Sequence, residues 1–509
     1  MSRDDNIVRT LFSGGSLIVF GLAFELGLSF VAKLFIARVL GPTDYGGISI
    51  GITILTMLST AVLIGLNTGV ARYLPRSKDE SFRRGVLISA YRIVIPFAIL
   101  VSLLIVILAP WLANDVFHNP SITDILRLFA AMIPLGAIMK LSVGTAQGMK
   151  QTLPKVYIQH ITLPLVRFTG IIVVIWLGYG AIGVAGAYAL AYLLASVIGV
   201  YYVISHTPLL SSVPPVRMDR ELLSFSAPLL ITTTMVLIFS DIDTFMLGAI
   251  ASTSDVGIYN VVYPVAQLLT VATASFGFIF MPVVSELHVD GRVTEMRRLY
   301  QLVVKWVSIL TFPLFTLVVL FPEMTISKTF GPEYASGALA LSILSIGFFT
   351  HVVAGPNGNT LTSIGETRLI MYDNILVAGV NLGLNFLLIP EYTFLGAAVA
   401  TAVAYVLLNL LYSIQLYTRT GIQPLSQSLV KPGVIAITVA GVLYLIGTAI
   451  FPITVAFLFG YLLVFTAVYA FAVIRFGIEE EEVMLVLSFE ERFGVNLGPV
   501  KQIAQRFIE

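Results

Sequence analysis

The sequence contains no cysteine and few charged residues, and these two absences exclude whole classes of function. Without cysteine, the 509-residue chain can form no disulfide bond, no thiolate metal site and no cysteine nucleophile. Only 11% of the residues are Asp, Glu, Lys or Arg, whereas a soluble globular chain carries about 25%. The composition therefore does not fit an ordinary soluble protein.

Nucleotide-binding and metal-binding motifs are also missing. The five histidines are scattered and show no HxxxH spacing, and no GxxxxGK[ST] loop occurs. Asp241 and Asp243 have the DxD spacing of the metal-binding pair of many glycosyltransferases, but they lie inside an apolar segment rather than at an aqueous face. We therefore predict no enzyme activity, no catalytic residue, no resident metal and no cofactor.

Apolar residues are abundant instead. They make up 57% of the chain, the mean hydropathy is +0.95, and apolar runs recur near the length of about 20 residues that a membrane-spanning helix needs. We predict an all-α integral membrane protein with fourteen transmembrane helices. The predicted spans are 11–37, 45–69, 86–111, 124–148, 156–178, 181–204, 223–250, 256–284, 301–322, 335–358, 369–389, 393–416, 432–451 and 453–474.

The basic residues predict the orientation of these spans. Most of the 29 Lys and Arg residues lie at span ends on the side of the N-terminus, and the positive-inside bias places that side in the cytoplasm. The first apolar segment lacks an AxA-like cleavage site and is interpreted as a span, not a signal peptide. We expect a multi-pass protein of the cell membrane with both termini cytoplasmic.

Internal similarity indicates a repeat of six spans. YGAIGVAGAYALAY (179–192) and YTFLGAAVATAVAY (392–405) share seven of fourteen positions, and LGPTDYGG falls opposite ASTSDVGI, so that Asp44–Tyr45–Gly46 aligns with Asp255–Val256–Gly257. An even repeat predicts two pseudo-symmetric six-helix bundles around a central cavity. The predicted organisation is an N-terminal bundle (1–204), a cytoplasmic linker (205–222), a C-terminal bundle (223–418), two extra transmembrane helices (432–474) and a cytoplasmic amphipathic tail (475–509).

Ionisable residues inside the spans form the candidate site. A carboxylate at mid-membrane costs about 2.5–3.5 kcal/mol, so such residues are expected to face a cavity and to pair. The repeat alignment places Lys33 at the depth of Asp241 and Asp243, and Arg167 is central in its span. Cations at this depth would attract a phosphate or pyrophosphate, while the carboxylates could hold the cations apart or carry a coupling ion, H⁺ or Na⁺. The predicted substrate-cavity residues are Glu25, Lys33, Arg92, Lys140, Arg167, Asp241, Asp243, His351, Asn381 and Asn385.

Two structural alternatives apply to these residues. The carboxylates and cations could simply pair between packed helices without bordering any cavity. Arg92 and Lys140 lie nearer the cytoplasmic face and could instead extend to the lipid headgroups.

The order of several short motifs resembles a known family. LGPTDYG follows the first span, RYLPRSKDE follows the second, and DIDTFMLGAIASTSDVGIYNVVYP crosses the seventh and eighth. Together they resemble the polysaccharide transporter (O-antigen flippase-like) branch of the multidrug/oligosaccharidyl-lipid/polysaccharide exporter superfamily, over about residues 7–475. The resemblance implies a MATE-like fold with a V-shaped, typically cationic cavity that works without ATP. The family has no universal site motif, so the candidate residues above rest on their own positions.

The resemblance also implies a function and partners. It implies a flippase that moves a lipid-linked sugar or oligosaccharide from the cytoplasmic to the outer leaflet, for cell-surface glycan or glycoprotein assembly. The implied partners are this substrate, membrane lipids and glycosyltransferases of the same pathway, with no nucleic acid. The tail sequence ERFGVNLGPVKQIAQRF is similar to tails of archaeal members, which implies a dolichyl-phosphate type of carrier. Two alternatives stay open, a cation-coupled multidrug exporter of the same superfamily and a non-transporting membrane scaffold for glycan synthesis.

Overall fold

The structure, a computed structural model, describes the backbone of residues 3–424 and 427–476. Side chains are described from residue 20 onward, except at 228, 230–240, 277–279, 425–428, 474 and beyond 475. The predicted amphipathic tail thus lies almost entirely outside the described residues. Every regular element within the described ranges is a helix, which confirms the prediction of an all-α protein.

The chain is a succession of helices joined by short turns. The α-helices are α1 (Arg3–Ala61), α2 (Leu66–Tyr73), α3 (Glu80–Trp111), α4 (Thr123–Ala131), α5 (Ile133–Gly148), α6 (Leu153–Lys155), α7 (Leu163–Trp176), α8 (Gly180–His206), α9 (Asp219–Ile250), α10 (Thr253–Gln267), α11 (Val271–Val289), α12 (Val293–Leu320), α13 (Pro322–Thr329), α14 (Ala338–Ala354), α15 (Asn357–Ser363), α16 (Thr367–Thr420), α17 (Gln427–Ile450) and α18 (Val455–Phe476). A π-helical segment, Val156–Thr162, connects α6 to α7, so these three pieces form one continuous rod.

Eleven helices in the described residues are long and apolar enough to cross a membrane. Two of them each cover two predicted spans. The 54 residues of α16 would measure about 80 Å as a straight helix, more than twice the ~30 Å of a hydrocarbon core. Both helices are broken where the chain has to turn, α1 at Gly41 (φ +78°) and α16 at Thr393 (φ +49°). The count of fourteen spans stays a prediction.

The chain forms two compact units. The first comprises Met1–Val261, Thr329–Tyr334 and Leu382–Ala397, and the second comprises the described parts of Val262–Lys328, Ala335–Asn381 and Ala398–Glu509. The predicted division into bundles at 204 and 223 stays a prediction.

The first unit packs through small residues. Ala191 and Ala195 of α8 are fully buried against α5 and the rod that contains Ile158. Small side chains let helix backbones approach closely, which is how helices associate in lipid. This packing fixes the rod that carries Arg167 beside its neighbours.

The second unit packs through aromatic side chains. Phe312 of α12 and Phe321 next to it contact Tyr461, Phe465 and Tyr469 of α18, with ring centroids 4.9 to 6.4 Å apart. Offset and edge-to-face aromatic pairs of this kind contribute about 0.5–1.5 kcal/mol each beyond their buried area. The last two helices, predicted as spans 13 and 14, are therefore anchored to α12.

Candidate functional site

A polar stripe runs along one face of α1. Glu25, Ser29 and Lys33 are spaced four residues apart, which places them on one side of a helix, and all three are partly buried. The α6–α7 rod presents a matching stripe. The His160 Nδ1 atom lies 2.5 Å from a Glu25 carboxylate oxygen, and the Arg167 guanidinium donates to the Ser29 hydroxyl. The two stripes run parallel, in register.

Arg167 is held by neutral partners. Besides Ser29, its guanidinium carbon lies 5.2 Å from the centre of the Tyr188 ring on α8, within the range of a cation–π interaction. Tyr192, one turn further along α8, lies within electrostatic range of both Arg167 and Glu25. The Arg167 Nε atom is buried without a hydrogen-bond partner. The Ser29 hydroxyl and the Tyr188 ring therefore orient the guanidinium, and neither of them carries a charge.

Two lysines extend this positive region. The Lys140 Nζ atom of α5 donates to the Ser59 and Thr60 hydroxyls of α1, at 2.9 and 2.6 Å. Lys33 is partly buried and lies within electrostatic range of Arg167. The charge of Asp241 acts on both lysines. Three cations and this carboxylate therefore share one electrostatic environment, which we call the cationic cluster (Lys33, Lys140, Arg167 and Asp241).

The two aspartates of the DxD sequence have different surroundings. Residues two apart on an α-helix point about 200° apart, so the pair cannot share one partner set. Asp243 is 6% exposed and accepts hydrogen bonds on both oxygens, from the Tyr259 hydroxyl at 2.7 Å and the Asn385 amide at 2.6 Å. Asp241 is partly buried and lies near the lysines. Asp243 thus ties α9 to α10 and α16, while the charge of Asp241 acts on Lys33 and Lys140.

Three of the predicted site residues have other surroundings. Arg92 is 59% exposed and forms an ion pair with Asp219 at the start of α9. His351 belongs to the second unit, where its Nδ1 atom lies 3.1 Å from the Asn409 side-chain oxygen. Asn381 is also part of the second unit and is buried. The cavity role predicted for these and the other site residues stays a prediction.

Some polar residues of the site were not among the predicted ones. His160 was interpreted only as one of five scattered histidines, and Tyr188, Ser59 and Thr60 gave no signal because their residue types are common in apolar helices. One signal was present, however. His160 and Arg167 are seven residues apart, two helical turns, and so lie on one face, in register with the stripe on α1.

The arrangement suits the binding of an anion rather than a metal ion. In the described residues, no group of three or more His, Asp or Glu side chains could hold a metal. Lysine and arginine side chains that are already oriented by hydroxyls can instead make charge-assisted hydrogen bonds to phosphate oxygens. The chemistry that the cluster supports is electrostatic binding.

Comparisons with known proteins bear on the family and the fold of the chain. The chain is similar to a protein of Methanocaldococcus jannaschii that is described as an uncharacterized membrane protein. The two are 30% identical over 190 residues, which cover 37% of this chain and only 38% of that protein. The chain is 22% identical over 401 residues, 77% of its length and 80% of the relative's, to a probable low-salt glycan biosynthesis flippase, Agl15, of Haloferax volcanii. Among solved structures, the lipid II flippase MurJ in an inward closed conformation superimposes with a TM-score of 0.70 at 14% identity, covering 90% of this chain and 97% of that one.

The last comparison shows the MATE-like helical fold that the resemblance implied, in a multi-pass membrane protein. Two family descriptions match the sequence as well. Residues 228–387 match the MatE family. Residues 12–288, more than half of the chain, match the polysaccharide biosynthesis protein family. The chain therefore belongs to the polysaccharide biosynthesis protein family of the multidrug/oligosaccharidyl-lipid/polysaccharide exporter superfamily.

Proposed function

We propose that this protein is a flippase that moves a lipid-linked sugar or oligosaccharide from the cytoplasmic to the outer leaflet of the cell membrane. Family membership and the similarity to a probable glycan biosynthesis flippase support this proposal. The product would serve cell-surface glycan or glycoprotein assembly, alongside glycosyltransferases of the same pathway. Both termini would lie in the cytoplasm, in keeping with the distribution of basic residues.

The observation that supports the substrate class is the cationic cluster. A polyprenyl- or dolichyl-phosphate sugar carries its negative charge at the junction between lipid and headgroup. Lys33, Lys140 and Arg167 offer three cations, two of which are oriented by neutral hydroxyls. A charge-assisted hydrogen bond contributes about 1.5–3 kcal/mol, so two or three of them suffice for selective binding of the phosphate.

The physical task requires a sheltered polar path. A sugar headgroup must cross ~30 Å of hydrocarbon, where a polar group without a hydrogen-bond partner costs about 2–7 kcal/mol. In the proposed mechanism the headgroup binds at the cluster while the lipid tail remains in the bilayer. The protein then alternates between states that are open to one side and to the other. Asp241 holds the cations apart until the phosphate replaces it as their partner.

The direct test uses purified protein in lipid vesicles. A fluorescent lipid-linked sugar is placed in both leaflets, and a membrane-impermeant quencher reports the fraction that moves outward over time. We expect faster exchange than in protein-free vesicles and than in vesicles with an unrelated membrane protein of similar size. If exchange is no faster than in these control vesicles for any of several headgroups, the result supports the scaffold alternative and contradicts the flippase.

The match of residues 228–387 to the MatE family favours one second candidate, a cation-coupled drug exporter. That candidate predicts growth protection of a sensitive host against cationic dyes. It also predicts no dependence on lipid-linked sugars. The cationic cluster argues against it, because fixed positive charges repel a cationic drug.

A further inference from the structure

Two glycines on different helices make reciprocal contacts. A Cβ atom built on Gly46 of α1 would lie 1.7 Å from the backbone oxygen of Thr253 in α10. A Cβ atom built on Gly257 of α10 would lie 2.0 Å from the backbone oxygen of Pro42 in α1. Neither space can hold a methyl group, since both obstacles are backbone atoms that cannot rotate away.

The sequence repeat relates the two halves of this contact to each other. The alignment of Asp44–Tyr45–Gly46 with Asp255–Val256–Gly257 pairs Gly46 with Gly257 and Pro42 with Thr253. Gly46 touches the carbonyl of residue 253, and Gly257 touches the carbonyl of residue 42. Such a self-matching contact is the mark of a two-fold axis. We call it the reciprocal glycine contact (Pro42, Gly46, Thr253 and Gly257).

Side chains form hydrogen bonds beside this contact. The Asn119 amide donates to the Thr253 hydroxyl at 2.9 Å, and the Tyr45 hydroxyl donates to the Asn260 backbone oxygen at 3.3 Å. Tyr45 is 2% exposed and Thr253 is 4% exposed. The contact lies at the end of the spans that the positive-inside bias places outside the cell. Tyr45 and Thr253 are thus almost completely shielded from solvent beside the contact.

We propose that the reciprocal glycine contact is the outer gate of the transport path, a role that rests on the proposed function. The two helices meet backbone to backbone, and the Tyr45–Asn260 hydrogen bond joins them beside the contact, so closure depends on how closely the two backbones approach. Glycine at both positions permits closure, and separation of the helices opens the outer side. A single added methyl group at either position keeps the two helices apart, so that the gate stays open.

The test uses the absence of native cysteine. Ser49 is 5% exposed and lies one turn beyond Tyr45, whose carbonyl accepts from its hydroxyl at 2.8 Å. In a Ser49→Cys protein, a membrane-impermeant thiol reagent is applied to each face of the vesicles in turn. With Gly46→Ala or Gly257→Ala added, we expect labelling from the outer face to accelerate by about tenfold or more, since small free-energy changes shift two-state populations by that factor.

A matched glycine provides the control. Gly27 also lies on α1, and no atom lies within 4 Å of a Cβ built on it. Gly27→Ala should therefore leave the labelling rate of Ser49→Cys unchanged. Equal rates for all three alanine variants, each folded by its thermal transition, would overturn the gate.

A second measurement covers the case in which the alanine variants fail to fold. Ser49→Cys protein without any glycine change should still react slowly with the thiol reagent, and only from the outer face, because the two helices separate transiently. Complete protection over hours, in protein that labels fully after denaturation, would identify the contact as static packing and overturn the proposal. Neither measurement needs a substrate. If labelling behaves as expected but no lipid-linked sugar moves in the vesicle assay, the proposed function fails while the gate stands.

Discussion

Arg167 is held in a fixed position by partners that carry no charge, and these partners bear on what it can bind. The Ser29 hydroxyl and the Tyr188 ring orient the guanidinium without neutralising it. A structural arginine would instead be expected to face a carboxylate, as Arg92 faces Asp219. The choice of partners therefore favours binding of an external anion over helix pairing.

Arg167→Ala and Lys33→Ala should each slow flipping of a phosphate-linked sugar by about tenfold or more, because each removes a charge-assisted hydrogen bond worth about 1.5–3 kcal/mol. Arg167→Lys should recover part of the rate, since lysine keeps the charge but loses the planar donor fork. The vesicle assay measures all three. Arg127→Ala serves as the control, since Arg127 is 47% exposed and pairs with Asp124 within α4. Unchanged rates in Arg167→Ala and Lys33→Ala would remove both residues from the site.

Asp243→Ala should lower the thermal unfolding temperature more than Asp241→Ala does. The first change removes the carboxylate that accepts from the Tyr259 hydroxyl and the Asn385 amide, and a hydrogen bond to a charged group contributes about 1.5–3 kcal/mol. Asp241→Ala should retain most of the stability and change the flipping rate. Intrinsic fluorescence during heating in lipid nanodiscs measures the first effect. Equal unfolding temperatures would contradict the division of roles.

The residues that bear the charges could be predicted from the sequence, whereas their partners could not. Lys33, Arg167 and Asp241 stand out because charge inside an apolar span is rare. Their partners are hydroxyls and a tyrosine ring, which are frequent in any helix and become significant only when packing brings them close. His160 was missed for a different reason, because its partner Glu25 lies 135 positions away along the chain.

At the scale of elements, the segment between α8 and α9 is strapped along α3. Arg84 donates to the backbone oxygens of Leu209 and Val213. The backbone nitrogen of Val216 donates to the Ser81 carbonyl at 3.2 Å, and that of Met218 donates to the Ser89 hydroxyl at 3.2 Å. The predicted linker at 205–222 is thus held along one helix of the first unit, which ties the start of α9 to α3.

Arg84→Ala should loosen this strap. It removes two hydrogen bonds of about 1 kcal/mol each, so local opening and limited proteolysis between 207 and 218 should increase about fivefold or more. Digestion of vesicles that expose this face, followed by mass analysis of the fragments, measures the rate. Arg83→Ala is the neighbouring control, because Arg83 bonds to Ser77 and not to the linker. Similar cleavage in both variants would show that the strap does not depend on Arg84.

The positions of the helix breaks show which local features of the helices could be predicted from the sequence. LGPTDYGG contains the Gly–Pro pair that lies between the predicted spans 11–37 and 45–69, and α1 breaks there at Gly41. The break in α16 was predicted between residues 389 and 393, next to Pro390, and the structure has it at Thr393. The π-helical segment before α7 was not predicted, because an extra residue within a helical turn arises from packing and leaves no mark in apolar periodicity.

At the scale of the whole molecule, the fold class followed from composition and the family from motif order. The repeat predicted which helices correspond, and the reciprocal glycine contact now links two of them by a matching pair of contacts. The relation between the halves depends on which state a transporter occupies. Sequence patterns describe all such states equally, so they cannot specify one of them.

The cationic cluster leads to a prediction about the molecule's choice of substrate. Two fluorescent lipids with the same tail and the same sugar, one joined through a phosphate and one through a neutral ether, differ only in the charge at the junction. We expect the phosphate-linked lipid to flip about tenfold faster or more, as one charge-assisted hydrogen bond would provide. In Arg167→Ala protein the preference should shrink while the slow rate of the neutral lipid stays the same. A drug exporter would move neither lipid. Equal flipping rates for the two lipids would mean that the protein recognises the sugar or the tail, and that the cationic cluster has another role.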